Sequence, residues 1–194
     1  MGVIEERARK RRRKRDLQTA AIFAIAAAGL LATPSLAPGL ARAFGRKGPD
    51  ARLRYRAKTV LGRLRYAGEI EFIERDGQMF ARLTKKGRST LELHKEKLRL
   101  ATPPKKKWDH QYRLVMFDVP EKRKKVRDRI RQEVADTGFL RVQDSAWIYP
   151  YDCEEFIALL KAKLHIGKDV LYAIVDSIEN DTWIRKHFGL PPPR

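Results

Sequence analysis

Cysteine is almost missing: Cys153 is the single one in 194 residues, which excludes an internal disulfide framework and suits a reducing compartment such as the cytoplasm. Histidine is scarce as well, and His94, His110, His165 and His187 show no ligand spacing with that cysteine, so no metal cluster of the zinc type is expected. No Gly-rich phosphate loop, nucleophile elbow or internal repeat is present, which removes the commonest NTPase, hydrolase and solenoid readings. Long apolar runs are lacking too. The longest, Leu17 to Ala32, is interrupted by Gln18 and Thr19, is rich in weakly hydrophobic Ala and ends at Thr33-Pro34. A bilayer span needs about 20 predominantly apolar residues. Cleavage as a signal peptide is disfavoured because Pro38 follows Ser35-Leu36-Ala37. A buried first helix is the preferred reading; a membrane-anchored DNA-binding protein, retained by its basic N-terminus, is the alternative.

Acidic residues are scarce in one half only. Residues 1–107 hold 28 Lys and Arg against 10 Asp and Glu, net +18, whereas residues 108–194 hold 15 against 14, net +1. A basic half joined to a neutral half implies a polyanion-binding module attached to something else, with nucleic acid ahead of an anionic membrane surface.

In the neutral half, Tyr112, Leu114 and Met116 alternate with Val115 and Phe117 as a strand ending at Pro120. Val126, Ile130 and Val134 then recur at helical spacing up to Gly138. A further strand pair runs to Pro150, a helix carries Phe156, Ile157, Leu159, Leu160 and Leu164, and Val170 to Val175 is an apolar strand. The order β-α-β-β-α-β is that of the ferredoxin-like split unit, with both helices on one face of a four-stranded sheet. Trp183, Ile184, Phe188 and Leu190 predict a closing helix. Trp147 and Tyr149 are candidate exposed aromatics for self-association. Cys153, at a helix start, is expected to pack as a small apolar group.

The residues of this half carry a resemblance. Trp108-Asp109, then Tyr112 to Glu121, Gly138-Phe139 and Gln143 to Ile148 resemble the central domain of PaaX-type repressors of phenylacetate catabolism. That domain is similar to the small CRISPR adaptation subunit, a ferredoxin-like dimer sometimes described as a metal-dependent nuclease. The resemblance implies a DNA-binding repressor working as a homodimer, with an unknown small-molecule effector. It also implies the enzymatic alternative, in which Asp118, at a strand end, would hold a divalent metal such as Mg²⁺ with its copy across a dimer axis. Phe117 stands where those nucleases usually carry Tyr, and an Asp capping the following loop is the simpler role. Neither a cofactor nor enzymatic activity is expected outside that alternative. The acyl-coenzyme A effector of PaaX-type repressors is not carried over, since the longer C-terminal region that goes with it is absent here.

In the basic half, residues 1–16 form a charged tail of the kind that stays unstructured until it meets a polyanion. A short helix is expected from Pro38 to Phe44, stopped by Gly45, and then a loop over residues 46–50. Over Arg52 to Tyr66, Leu53, Ala57, Val60, Leu61 and Leu64 fall on one side of a helix and Arg52, Tyr55, Arg56, Thr59 and Arg63 on the other, without a carboxylate in the stretch. Guanidinium groups grip phosphates or read guanine edges, and Tyr and Thr bond either, so these five are candidate DNA contacts. Glu69 to Ile73 pairs with Met79 to Leu83 across Arg75-Asp76-Gly77, a hairpin signal. Arg75 is a sixth candidate, at a wing tip. Leu-Thr-Lys-Lys-Gly-Arg, residues 83–88, then resembles the end of the wing in winged-helix regulators, with Thr84 capping a helix through Leu91 and Leu98. Residues 101–107, with Pro103, Pro104 and three Lys, form a linker. The expected architecture is α+β: a winged helix over 17–100 that binds double-stranded DNA, and a ferredoxin-like dimerisation domain over 108–194.

Overall fold

The computed structural model describes residues 3–43, 47–102 and 108–192, with side chains from residue 16 onward. The expected helix stop at Gly45, most of the 101–107 linker and Pro193 lie outside the described residues. The chain divides into two compact units, Met1–His94 and Lys95–Arg194. Both are mixed α and β with antiparallel sheets.

Helix α1, Val3–Ala28, corrects two expectations in the first unit. The basic segment is helical backbone and not an unstructured tail, because neither Gly nor Pro interrupts Val3 to Ala28 and Lys, Arg and Ala are good helix formers. The helix then stops short of Ala32. Gly29 adopts φ +67°, the left-handed stop open to glycine, and Leu31–Ala32 becomes strand β1. Leu17, Ala21, Ile22 and Ile25 line one stripe of α1 and are buried with Leu36, Leu40 and Ala41. The last three belong to α2, Leu36–Ala43, where Pro38 sits in the first turn and removes no helical hydrogen bond.

Helix α3, Ala51–Tyr66, is followed by β2, Ile70–Arg75, and β3, Gln78–Leu83. Asp76 and Gly77, at φ +50° and +70°, make the two-residue turn whose twist matches a hairpin. The sheet order is β1-β3-β2.

Helix α4, Lys85–Ala101, begins at a compact junction. The Thr84 hydroxyl accepts from the Gly87 N–H at 3.1 Å and donates to the Gly68 carbonyl at 2.6 Å. A Cβ on Gly87 would lie 1.9 Å from the Glu69 carbonyl oxygen. Glycine is therefore what lets α4 settle on the start of β2. The division between the units falls within α4.

In the second unit β4, Tyr112–Phe117, is central, and the order is β5-β6-β4-β7 with β5 Leu140–Gln143, β6 Ala146–Tyr149 and β7 Val170–Val175, all antiparallel. Helices α5, Lys124–Asp136, and α6, Glu154–Leu164, supply the intervening connections. Val115, Phe117, Trp147 and Tyr149 share one face, where Phe139 stacks on Tyr149 with ring centroids 4.8 Å apart and meets Phe156 of α6 at 6.0 Å. On the other face Tyr112, Leu114 and Ile148 pack with Trp108 and with Ile184 of α7, Thr182–Phe188.

The closing helix expected around Trp183 is α7, but one expectation about aromatic residues fails. Trp147 and Tyr149 are buried, at 7% and 4% exposure, because β6 is an inner strand. Trp183 of α7 is half exposed, while Ile184 and Phe188 face the core. The exposed apolar residues of the sheet are Met116, Leu171 and Ile174. Met116 and Leu171 are paired neighbours on β4 and β7. Among the described residues no helix is long and apolar enough to cross a membrane.

Candidate nucleic-acid interface

Asp50 opens α3: its carboxylate accepts the Leu53 N–H at 2.6 Å and caps the helix. Beyond it the helix carries no acid. Leu53, Ala57, Val60, Leu61 and Leu64 are buried, the five that periodicity placed inward. Burying that stripe fixes which side chains are left to face solvent.

Of the six sequence candidates, Arg52, Tyr55, Arg63 and Arg75 are exposed and Arg56 and Thr59 partly so. The structure brings four of them together. Tyr55, Arg56, Thr59 and Arg63 line a recess of about 240 Å³ floored by Val60 and Leu17. Thr59 donates its hydroxyl to the Tyr55 carbonyl at 2.9 Å, leaving its lone pairs for an incoming donor. Arg52 stands one turn before Arg56, outside the recess lining, and Arg75 ends β2 at the hairpin turn.

Four residues of α3 escaped the sequence reading. Tyr66 is 97% exposed at the C-terminal end, and Arg54, Lys58 and Arg65 are exposed on the flank opposite Arg52, Arg56 and Arg63. The signal was available in the same acid-free stretch. At about 100° per residue, Tyr55, Gly62 and Tyr66 lie opposite the buried stripe, and the cations divide three to each side.

Among the described residues none of these six cations forms an ion pair, although Arg65 lies 5.3 Å over the Phe72 ring. The second unit uses its arginines differently. Arg113 pairs with Asp109 at 2.5 Å, Arg123 with Asp169 at 2.7 Å, Arg127 with Glu121 at 2.6 Å and Arg185 with Asp181 at 2.7 Å. Arg129, Arg131 and Arg141 pair with Glu133, Asp128 and Asp144. Hydrogen bonding from Arg113 holds the Asp109 carboxyl below its ordinary range. Burial would raise Glu133, but Lys97 and Arg129 outweigh it and hold that carboxyl low as well.

Asp118 sits exposed after β4, its N–H donating to the Asp169 carbonyl at 2.9 Å. It caps nothing: Pro120 and Arg123 hold the N-cap positions of the next two helical segments, without side-chain cap bonds. The expected capping role is thus corrected. The neighbouring carboxylate of Asp169 is taken by Arg123. Among the described residues no three His, Cys, Asp or Glu side chains converge. Cys153 is fully buried, and burial pushes its thiol up to about 12, far from a reactive thiolate.

A second recess of about 650 Å³ is lined by Trp108, His110, Tyr151, Arg185, Leu190 and Pro191 among others. Arg185 lies 4.9 Å over the Trp108 ring while bound to Asp181. The Asp181 carboxylate also accepts the Tyr112 hydroxyl at 2.8 Å, and burial together with that carboxylate pushes the Tyr112 phenol up to about 12.

The class these elements define is α+β: a basic unit with a three-stranded sheet, and a unit built on a four-stranded antiparallel sheet in β-α-β-β-α-β order. Residues 105–184 match the family model described as the PaaX protein central Cas2-like domain. That match agrees with the resemblance carried by the motifs around Tyr112–Glu121. No match to the chain is found among curated proteins.

Proposed function

We propose that the protein is a transcriptional regulator, a repressor in the manner of the PaaX type, that binds duplex DNA as a homodimer. The observation that carries this reading is the acid-free, unpaired cationic surface of α3, set in a unit separate from the PaaX-type domain. The first unit supports a winged-helix reading, with its order α1-β1-α2-α3-β2-β3, its sheet β1-β3-β2, and a hairpin turn beside Arg75. In that arrangement α3 enters the major groove and the hairpin flanks it. The second unit, as a ferredoxin-like domain, supplies the dimer through the exposed Met116–Leu171 pair. The recess beside Trp108 and Arg185 is the place for an effector.

The test is a titration of the full-length protein with duplex DNA. Arg52→Ala, Arg56→Ala and Arg63→Ala should each weaken binding by about five- to a hundredfold, the range of one base or phosphate contact. Arg127→Ala and Arg131→Ala, whose guanidinium groups already bond Glu121 and the Asp144 carbonyl, should change affinity less than twofold. Equal effects in the two sets would refute the reading.

A further inference from the structure

Gly62 sits in the middle of α3 with helical dihedrals, so no left-handed backbone demands it. No packing demands it either: a Cβ there would meet nothing within 4 Å. An exposed glycine in a helix interior nevertheless weakens the helix relative to alanine. Gly87 is the opposite case, since its Cβ would strike the Glu69 carbonyl. At Gly62 neither the backbone nor the core requires glycine, which leaves room for something outside the chain to come closer than a side chain would allow.

Its surroundings say what that is. Gly62 belongs to a ridge, Tyr55, Thr59, Gly62 and Tyr66, at positions i, i+4, i+7 and i+11, pointing away from the buried stripe. The two tyrosines, 74% and 97% exposed, stand about 16 Å apart along the axis at 1.5 Å per residue. Arg52, Arg56 and Arg63 flank the ridge on one side, and Arg54, Lys58 and Arg65 on the other. A neutral ridge between two cationic flanks is complementary to a groove with a neutral floor and two anionic walls. That is the cross-section of the DNA major groove, with base edges below and a phosphate backbone on either side.

We infer that Tyr55, Thr59, Gly62 and Tyr66 form the base-facing edge of α3, with Gly62 the point of closest approach to the duplex and the two cationic flanks gripping opposite strands. This rests on the DNA-binding reading and reverses part of the sequence assignment. Arg52, Arg56 and Arg63 become backbone contacts, and selectivity passes to the ridge. The tyrosines bracket the glycine and set the helix depth.

The experiment uses the full-length protein, a duplex recovered by selection from a random 30-bp library, and a random-sequence duplex. Gly62→Ala should raise the thermal midpoint by about 2–4 °C, through helix propensity, yet weaken binding to the selected duplex by about tenfold. Gly62→Lys should also weaken it, although the added charge alone would tighten it. Arg56→Ala and Lys58→Ala should lose affinity on both duplexes alike and lower the salt dependence by about one ion each. A lower midpoint for Gly62→Ala would mean that the fold needs the glycine, and would overturn the inference. So would wild-type or tighter binding by both Gly62 variants, or a selection that recovers no preferred sequence. If the Gly62 variants bind normally while Arg56→Ala and Lys58→Ala lose affinity, only the ridge fails. If those two also bind normally, the DNA-binding reading itself fails.

Discussion

Helix α3 and the second unit use the same residue type in opposite ways. In α3 five arginines and a lysine stand on an acid-free helix with no ion pair among the described residues, whereas all seven described arginines from residue 108 onward are paired with a carboxylate. A paired guanidinium on a protein surface is partly neutralised and spends its directional donors internally. An unpaired row keeps its charge and its donors for a partner. The difference teaches that net charge alone is a poor guide to a binding face; what counts is which cations the fold leaves unanswered.

The strongest way to break this comparison is to remove a carboxylate from the paired unit. Glu133 is 3% exposed between Lys97 and Arg129. Glu133→Gln should destabilise the second unit by about 3 kcal/mol, the low end for breaking a buried pair because Arg129 is half exposed. Arg54→Ala in α3 should shift stability by less than about 0.5 kcal/mol. Because the Glu133 carboxyl is held low in the fold, its stabilisation is present above the unfolded value and lost as pH falls through the folded one. Glu133→Gln should accordingly flatten the acid limb of a denaturant-midpoint-against-pH curve. Equal costs for the two substitutions would erase the distinction between the units.

The dimer assignment depends on apolar surface and not on charge. Leu171→Asp places a carboxylate beside Met116 on the exposed sheet face. Burying it unpaired should weaken association of the full-length protein by about a hundredfold. Sedimentation that finds the variant as dimeric as the wild type at micromolar concentration would remove this face from the interface.

The glycines offer a smaller effect. Gly87→Ala should cost about 2 kcal/mol, since its Cβ would overlap the Glu69 carbonyl and α4 must shift to make room. A denaturation midpoint at or above wild type would show that the α4 junction is looser than its geometry.

The smallest effect is expected at Asp118. Asp118→Ala should leave duplex affinity within about twofold, and the wild type should show no Mg²⁺- or Mn²⁺-dependent cleavage of single- or double-stranded DNA. Cleavage abolished by the substitution would instead establish the nuclease alternative.

Much of this arrangement was legible in the residues. The inward stripe of α3, the Asp76-Gly77 hairpin and the alternation of Tyr112 to Phe117 follow from periods of 3.6 and 2 and from turn chemistry, all local properties. What escaped was set by neighbours distant in sequence. Trp147 and Tyr149 alternate like half-exposed strand residues, but β6 lies between β4 and β5 and is covered. Leu31–Ala32 continues an apolar run, yet Gly29 turns it into an edge strand on β3. The ridge of α3 is hidden for another reason: Gly62 and Tyr66 carry no charge, so they give no electrostatic signal beside the arginines that surround them.

The central claim, that α3 holds its cations ready for a polyanion, is tested most directly by salt. The measurement is the slope of log affinity against log salt for the full-length protein on random duplex, beside the triple variant Arg52→Ala, Arg56→Ala, Arg63→Ala and the double variant Arg127→Ala, Arg131→Ala. Removing one phosphate-bound cation should lower the slope by about one. The triple variant should therefore have a slope smaller by roughly two to three, and the double variant one smaller by less than about a half. Identical slopes for the triple variant and the wild type, at undiminished affinity, would contradict the account.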